Sequence, residues 1–206
     1  GNLSSYANAL DDHINLILSQ NFINKNNIAS KSIAVAVDGI NSVGGVAIPK
    51  FLESLGIKKI KKINCNPDGN FNHNPEPLPE NIRDLCSEVK RGKYQLGIVV
   101  DPDADRLVLV DERGEPFGEE YTLVAAAEYL LSKNHGASTC SNLSSTLALK
   151  NITEKYGGKY FSSAVGEINV VQVMKEKKCL IGGEGNGGVI YPCLLYTSPS
   201  PRDKSS

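Results

Sequence analysis

Apolar and polar positions change period along this 206-residue chain. Tyr6, Leu10, Ile14, Ile17 and Leu18 recur at three- and four-residue steps, and this stripe predicts a helix over residues 3–20. Asn21 to Lys31 is Asn-rich and polar, and reads as a linker. From Ser32 onward, short β-branched runs alternate with amphipathic stretches. Strands are expected at Ser32–Asp38, Lys59–Asn64 and Leu96–Val100. Helices are expected over about 46–55, with Pro49 near its first turn, and after Pro79, with Ile82, Leu85 and Val89 on one face. Leu107–Phe117 reads as a hairpin turning at Asp111–Gly114, followed by an Ala/Leu-rich helix through Lys133 with Glu119 and Glu120 at its start. A second series follows: a strand at Ser138–Ser141, a helix at Thr146–Tyr156, a strand at Lys159–Ser162, a helix at Asn169–Lys175 and a strand at Cys179–Gly182. Asn142–Ser145 can cap the first of these helices, and Gly157 ends it. The alternation predicts an α/β chain of two consecutive layer domains, the first over residues 31–135 and the second from residue 136.

Composition narrows the function. The chain is 40% hydrophobic and 22% charged, ordinary for an α/β protein. A formal net charge of −1 gives no bulk attraction to nucleic acid or to an anionic membrane, and neither is expected as a partner. No apolar run approaches the roughly 18 residues of a membrane span, and the N-terminus lacks a basic-then-apolar signal, so a cytoplasmic location is expected. Five cysteines, at 65, 86, 140, 179 and 193, are widely spaced without a Cys-x-x-Cys pair, and read as reduced, mostly buried thiols rather than a disulfide frame or zinc site.

The sharpest chemistry lies between the strand at Leu96–Val100 and the hairpin. There Asp101, Asp103 and Asp105 stand at alternate positions with Arg106 directly after them. Three hard oxygen donors from one short loop suit Mg²⁺, which takes octahedral oxygen coordination and keeps positions open for phosphate and water. A solvated acidic turn is the plainer alternative. A calcium-binding helix–loop–helix hand also matches acids at positions 1, 3, 5 and 12, the last being Glu112. It is rejected because its obligatory glycine is Arg106, and because strand-like flanks carry Glu112 roughly 16 Å away.

A second loop, Gly183-Glu-Gly-Asn-Gly-Gly188, follows the last strand. Its glycines permit close backbone approach and positive φ. The carboxylate of Glu184 and the carboxamide of Asn186 together offer acceptors and donors to vicinal hydroxyls. On its own the pattern also suits a plain glycine-rich turn. Two lookalikes are set aside. Gly39–Gly45 matches neither a Walker loop nor a dinucleotide fingerprint, and is read as a structural turn. Asn72-His-Asn-Pro75 carries Asn72 where a phosphorylated loop needs a hydroxyl, so His73 is read as structural.

The loop Asp101-Pro-Asp-Ala-Asp-Arg106, with Glu184-Gly-Asn186 downstream of it, resembles the α-D-phosphohexomutase superfamily of phosphoglucosamine mutases, phosphomannomutases and phosphoglucomutases. The resemblance covers roughly residues 1–192. It implies mixed sheets, residues 1–30 as the end of a first domain with a linker, 31–135 as the second domain, and 136–192 as a truncated third. It implies Mg²⁺ on Asp101, Asp103 and Asp105, and a phosphate partner for Arg106 in catalysis. It implies hexose hydroxyls on Glu184 and Asn186, with Gly166 on the substrate side. The implied reaction moves a phosphoryl group between the 1- and 6-positions of a hexose or hexosamine phosphate through a phosphoserine. That serine is absent here, so the chain alone is expected to be inactive. A non-catalytic divalent-metal or sugar-binding module is the alternative. The last stretch, Cys193 to Ser206, looks like the translation of a transposon-end sequencing adapter and is set aside from fold reasoning.

Overall fold

The computed structural model describes residues 5–192, so the adapter-like tail and residues 3 and 4 of the expected first helix lie outside the described residues. In chain order the elements are α1 (Ala9–Leu18), α2 (Lys25–Ser30), β1 (Ala34–Asp38), α3 (Gly44–Ser54), β2 (Lys59–Ile63), α4 (Arg83–Gly92), β3 (Leu96–Val100) and β4 (Leu107–Val110). They continue with α5 (Glu119–Leu131), β5 (Thr139–Asn142), α6 (Ala148–Lys155), β6 (Tyr160–Ser163), α7 (Glu167–Lys177), β7 (Ile181–Gly183) and β8 (Val189–Ile190).

Two four-stranded sheets have the same plan, in the orders β2-β1-β3-β4 and β6-β5-β7-β8. In each, three strands run parallel and the fourth returns antiparallel. Both sheets are therefore mixed, as expected. The aspartate loop joins β3 to its antiparallel partner β4, and the glycine loop joins β7 to β8, the same slot in the second sheet.

Burial follows position in the sheet. All five residues of β1 are buried, as suits a strand covered on both faces. The edge strand β2 instead carries Lys59, Lys61 and Lys62, charges that block edge-to-edge pairing. On one face Ala36, Val99, Val108 and Val110 pack under Ile82, Leu85 and Val89 of the α4 segment. On the other, Val35, Val37 and Ile98 pack against Leu52, Leu55 and Ile57 of the α3 segment. Each fully buried side chain of this size contributes roughly 1.5–3 kcal/mol. At Gly39 the backbone passes so close to α3 that an added Cβ would lie 2.3 Å from the Gly45 Cα, which makes Gly39–Gly45 the structural turn the sequence suggested.

Three expectations change. The linker at 21–31 contains α2, whose Asn24 side chain accepts a hydrogen bond from the Asn27 N–H at 2.9 Å. Helix α3 begins at Gly44, so Pro49 lies in its second turn rather than its first. Most consequentially, the apolar face of α5 joins the core of the second sheet, while the helix also lies against β4 through Thr122. Leu123, Ala127, Leu130 and Leu131 form one cluster with Leu149 of α6 and Ile181 of β7. The second unit thus starts near residue 118 rather than 136, with α5 and α6 on one face of its sheet. Helix α7 covers the other, placing Val170 and Met174 beside Cys140, Cys179 and Ile190.

Burial pushes the Cys140 thiol up to about 11 and that of Cys179 to about 12, so both are protonated and inert at neutral pH. Among the described residues no helix is long and apolar enough to cross a membrane.

Candidate cation and sugar site

In an open α/β sheet, the crevice for ligands lies beyond the carboxyl ends of the strands, where neighbouring strands send their connections in opposite directions. In the first sheet that point falls between β1 and β3, in the second between β5 and β7. The loops leaving β3 and β7 are the two that the sequence singled out.

The aspartate loop is a tight reversal. Ala104 adopts φ 59°, and its N–H donates to the Asp101 carbonyl at 3.0 Å. A left-handed residue other than glycine costs roughly 1–2 kcal/mol. The reversal brings one carboxylate oxygen from each of Asp101, Asp103 and Asp105 within 4.8 Å of the others. Asp101 is buried, whereas Asp103 and Asp105 are exposed. Burial raises the Asp101 pKa and the Asp105 carboxylate adds to the rise, partly offset by the Arg106 N–H and charge. Oxygens around a cation at about 2.1 Å sit roughly 3 Å apart when adjacent and about 4 Å apart when opposite. The observed limit of 4.8 Å lies a little above that range. The three side chains fit Mg²⁺ in donor type, as hard carboxylate oxygens from one loop.

Arg106 stands over this cluster. Its Nε lies 3.7 Å from Asp101 Oδ2 and 3.9 Å from Asp105 Oδ1, and its Nη1 lies 3.7 Å from Glu76 Oε1. All three distances exceed hydrogen-bond length, so these are ion pairs, and the donor fork remains available to a phosphate or carboxylate. The ion pairs with the neighbouring aspartates thus leave that fork unoccupied.

In the glycine loop, Glu184 is anchored rather than loose. Its N–H donates to the Gly188 carbonyl at 3.1 Å. Its Oε1 accepts from the Gly166 N–H at 2.9 Å and from Asn142 Nδ2 at 2.6 Å. Asn186 Oδ1 accepts from the Gly188 N–H at 3.1 Å. Gly166 and Glu184 are thereby joined directly, while Asn186 stands two residues further along the same loop.

The two loops also meet each other. The Leu107 N–H donates to the Gly187 carbonyl at 3.1 Å, and Arg106 and Gly188 form an antiparallel bridge. Gly187 has φ +90°, and a Cβ there would lie 2.8 Å from the Leu107 carbonyl oxygen, so only glycine suits this junction. From the second unit, Thr122 Oγ1 donates to that same Leu107 carbonyl at 2.8 Å. Backbone pairing thus fixes the aspartate cluster beside the carboxylate–carboxamide loop.

Several neighbours escaped the sequence. Ser42 Oγ donates to the Pro102 carbonyl at 2.6 Å, tying the turn after β1 to the aspartate loop. Glu119 faces the Arg106 charge, while burial and Glu120 push its carboxyl up. Asn142, expected to cap α6, turns its amide to Glu184 instead, and α6 begins later with no side-chain cap. No local pattern marks these residues, because their partners lie 60, 13 and 42 positions away. The His73 ring, read as structural, contacts the Asp38 carboxylate at 3.1 Å and the Asn74 carbonyl at 2.8 Å.

Two α/β units thus each deliver one polar loop to a shared junction. Residues 11–114 match the family model "Phosphoglucomutase/phosphomannomutase, alpha/beta/alpha domain II", and residues 118–198 match domain III of the same family. This chain belongs to the phosphoglucomutase/phosphomannomutase superfamily. The break between the matches, at 114 to 118, agrees with the packing of α5 on the second sheet. The second match also runs into the adapter-like segment. A probable phosphoglucosamine mutase of Methanopyrus kandleri is 29% identical over 97% of this chain and 44% of its own length. A phosphoglucomutase/phosphomannomutase of Thermococcus kodakarensis is 35% identical over 77% of this chain and 35% of its own. The crystal structure of a family member from Burkholderia thailandensis superposes with a TM-score of 0.75 at 26% identity, over 91% of this chain and 40% of that one. The chain thus spans less than half the length of these relatives.

Proposed function

We propose that this chain carries the cation-binding and sugar-binding loops of a Mg²⁺-dependent phosphohexomutase acting on hexose or hexosamine phosphates. The observation that carries the reading is the junction itself: three carboxylate oxygens within 4.8 Å of one another, joined through Leu107 and Gly187 to the Glu184–Asn186 loop. Asp101, Asp103 and Asp105 would hold the ion. When bound, Mg²⁺ neutralises charge that develops on a transferring phosphoryl group. Arg106 presents its guanidinium fork to phosphate oxygens beside the carboxylates. Glu184 and Asn186 accept from and donate to sugar hydroxyls, orienting the ring, and Gly166 holds Glu184 through its N–H.

Nothing in residues 5–192 supplies a phosphorylated serine at a Ser-His-Asn-Pro loop. At the one lookalike, Asn72 Nδ2 instead donates to Asn64 Oδ1 at 2.5 Å. The nucleophile belongs to a separate segment, and the chain by itself carries no mutase activity. Loss of one member of a catalytic unit removes most of its rate enhancement. A coupled assay with glucose 1-phosphate, mannose 1-phosphate and glucosamine 6-phosphate tests both statements. No turnover is expected from the purified chain, and turnover on at least one sugar is expected from a longer protein joining it to a Ser-His-Asn-Pro loop. Turnover by the chain alone overturns the first statement, and inactivity of the longer protein on all three sugars overturns the second.

A further inference from the structure

A carboxylate that is to select among sugar hydroxyls must hold one rotamer, since each hydrogen bond depends on distance and angle. Glu184 leaves a short strand on a loop rich in glycine, which by itself fixes little. Its carboxylate is fixed instead by the two donors that meet Oε1. One is the N–H of Gly166, where φ 110° and ψ 132° turn the peptide inward at the start of α7. The other is Asn142 Nδ2, at 2.6 Å.

Asn142 is well suited to this task. It is 3% exposed, at the carboxyl end of β5, the strand beside β7. Its Oδ1 accepts from Ser145 Oγ at 2.7 Å and from Ser144 Oγ at 3.1 Å. The two serine hydroxyls thus fix which end of the amide faces Glu184. A carboxylate only accepts, so the amide must present its nitrogen there, and the reversed amide would set oxygen against oxygen. The network spans the β5–α6 connection, the β6–α7 turn and the β7–β8 loop.

We propose that Asn142 is the positioning residue of the sugar loop: with Ser144 and Ser145 it locks Glu184 Oε1 against Gly166, leaving Oε2 to receive a sugar hydroxyl. This rests on the reading of Glu184 as a sugar contact. Asn142 itself takes no part in phosphoryl transfer.

The test is an NMR titration of the chain with glucose 1-phosphate and with its 3-deoxy and 4-deoxy analogues. Asn142→Asp is nearly isosteric and keeps the acceptor for both serines, but it replaces the donor with a second carboxylate. At unchanged backbone dispersion, it is expected to weaken glucose 1-phosphate binding by roughly tenfold or more, one lost charge-assisted hydrogen bond. Discrimination between glucose 1-phosphate and its deoxy analogues should collapse towards unity, and the Gly166 amide resonance should move. Mn²⁺ affinity at the aspartate loop should stay the same, which a general loss of structure would not allow. If Asn142→Asp does not fold, Asn142→Ala, which removes the donor without adding charge, is expected to lose the discrimination in the same way. Wild-type affinity and discrimination in whichever of these variants folds overturn the positioning role. Glu184→Ala separates the two levels: wild-type affinity in that variant, or no binding by the unaltered chain, overturns the sugar reading itself and takes the positioning role with it.

Discussion

Replacing Asp103 and Asp105 together with alanine is expected to abolish calorimetrically detectable Mg²⁺ binding, from a roughly millimolar affinity in the unaltered chain. Each carboxylate at contact distance from a divalent ion contributes about 4 kcal/mol of Coulomb attraction even at the dielectric of water, and a replacing water ligand returns much of it. A net loss of roughly tenfold to a hundredfold per ligand follows. Both side chains are exposed, so the double variant should keep its fold. Thermal unfolding without the ion should coincide with that of the unaltered chain. Equal heats of binding in the two proteins would identify the cluster as a solvated acidic turn.

The largest stability loss is expected from Asp38→Ala, about 3–5 kcal/mol, the range for removing one partner from a buried charged network. Asp38 ends β1 and is fully buried. Its carboxylate accepts from the Ile40 N–H at 3.0 Å and from Asn64 Nδ2 at 3.1 Å, and it meets the His73 ring at 3.1 Å. These bonds hold a strained turn: Ile40 and Asn41 adopt φ 48° and 52°, and a β-branched residue rarely accepts that region. Without the carboxylate, the buried Ile40 N–H and the half-buried Asn64 amide lose their acceptor while the strain remains. The next residue, Ser42, holds the Pro102 carbonyl, so Mg²⁺ affinity should fall as well, although Asp38 touches no ligand. Urea unfolding measures the first effect, and a loss below about 1 kcal/mol would show that the network contributes little.

What the sequence disclosed follows from how local each signal is. β3 was readable to the residue, because Leu96–Val100 is an apolar run, buried from Gly97 onward, that ends at a charged loop. The aspartate cluster was readable because its three carboxylates come from one reversal, and the glycine loop because its glycines mark a close backbone approach. Helix α2 was not, since six residues with no buried side chain leave no apolar stripe. The placement of α5 was missed for another reason. A stripe through Leu123, Ala127 and Leu130 shows that a face is buried, but not which sheet buries it. Asn142 illustrates the same limit within the site: an Asn followed by two Ser residues has the local grammar of a cap, and only the fold shows Glu184 within reach.

The central claim is that the aspartate and glycine loops form one composite site around a divalent cation. Line broadening of backbone amides by Mn²⁺ tests it most directly, because a paramagnetic ion reports both where it binds and what lies nearby. Broadening is expected first at Asp101 and residues 103–106, next at Gly187 and Gly188, and last at the lysine-rich edge strand β2, with the pattern abolished in the Asp103→Ala, Asp105→Ala variant. Broadening centred elsewhere, sparing the glycine loop, or unchanged in that variant would contradict the composite site.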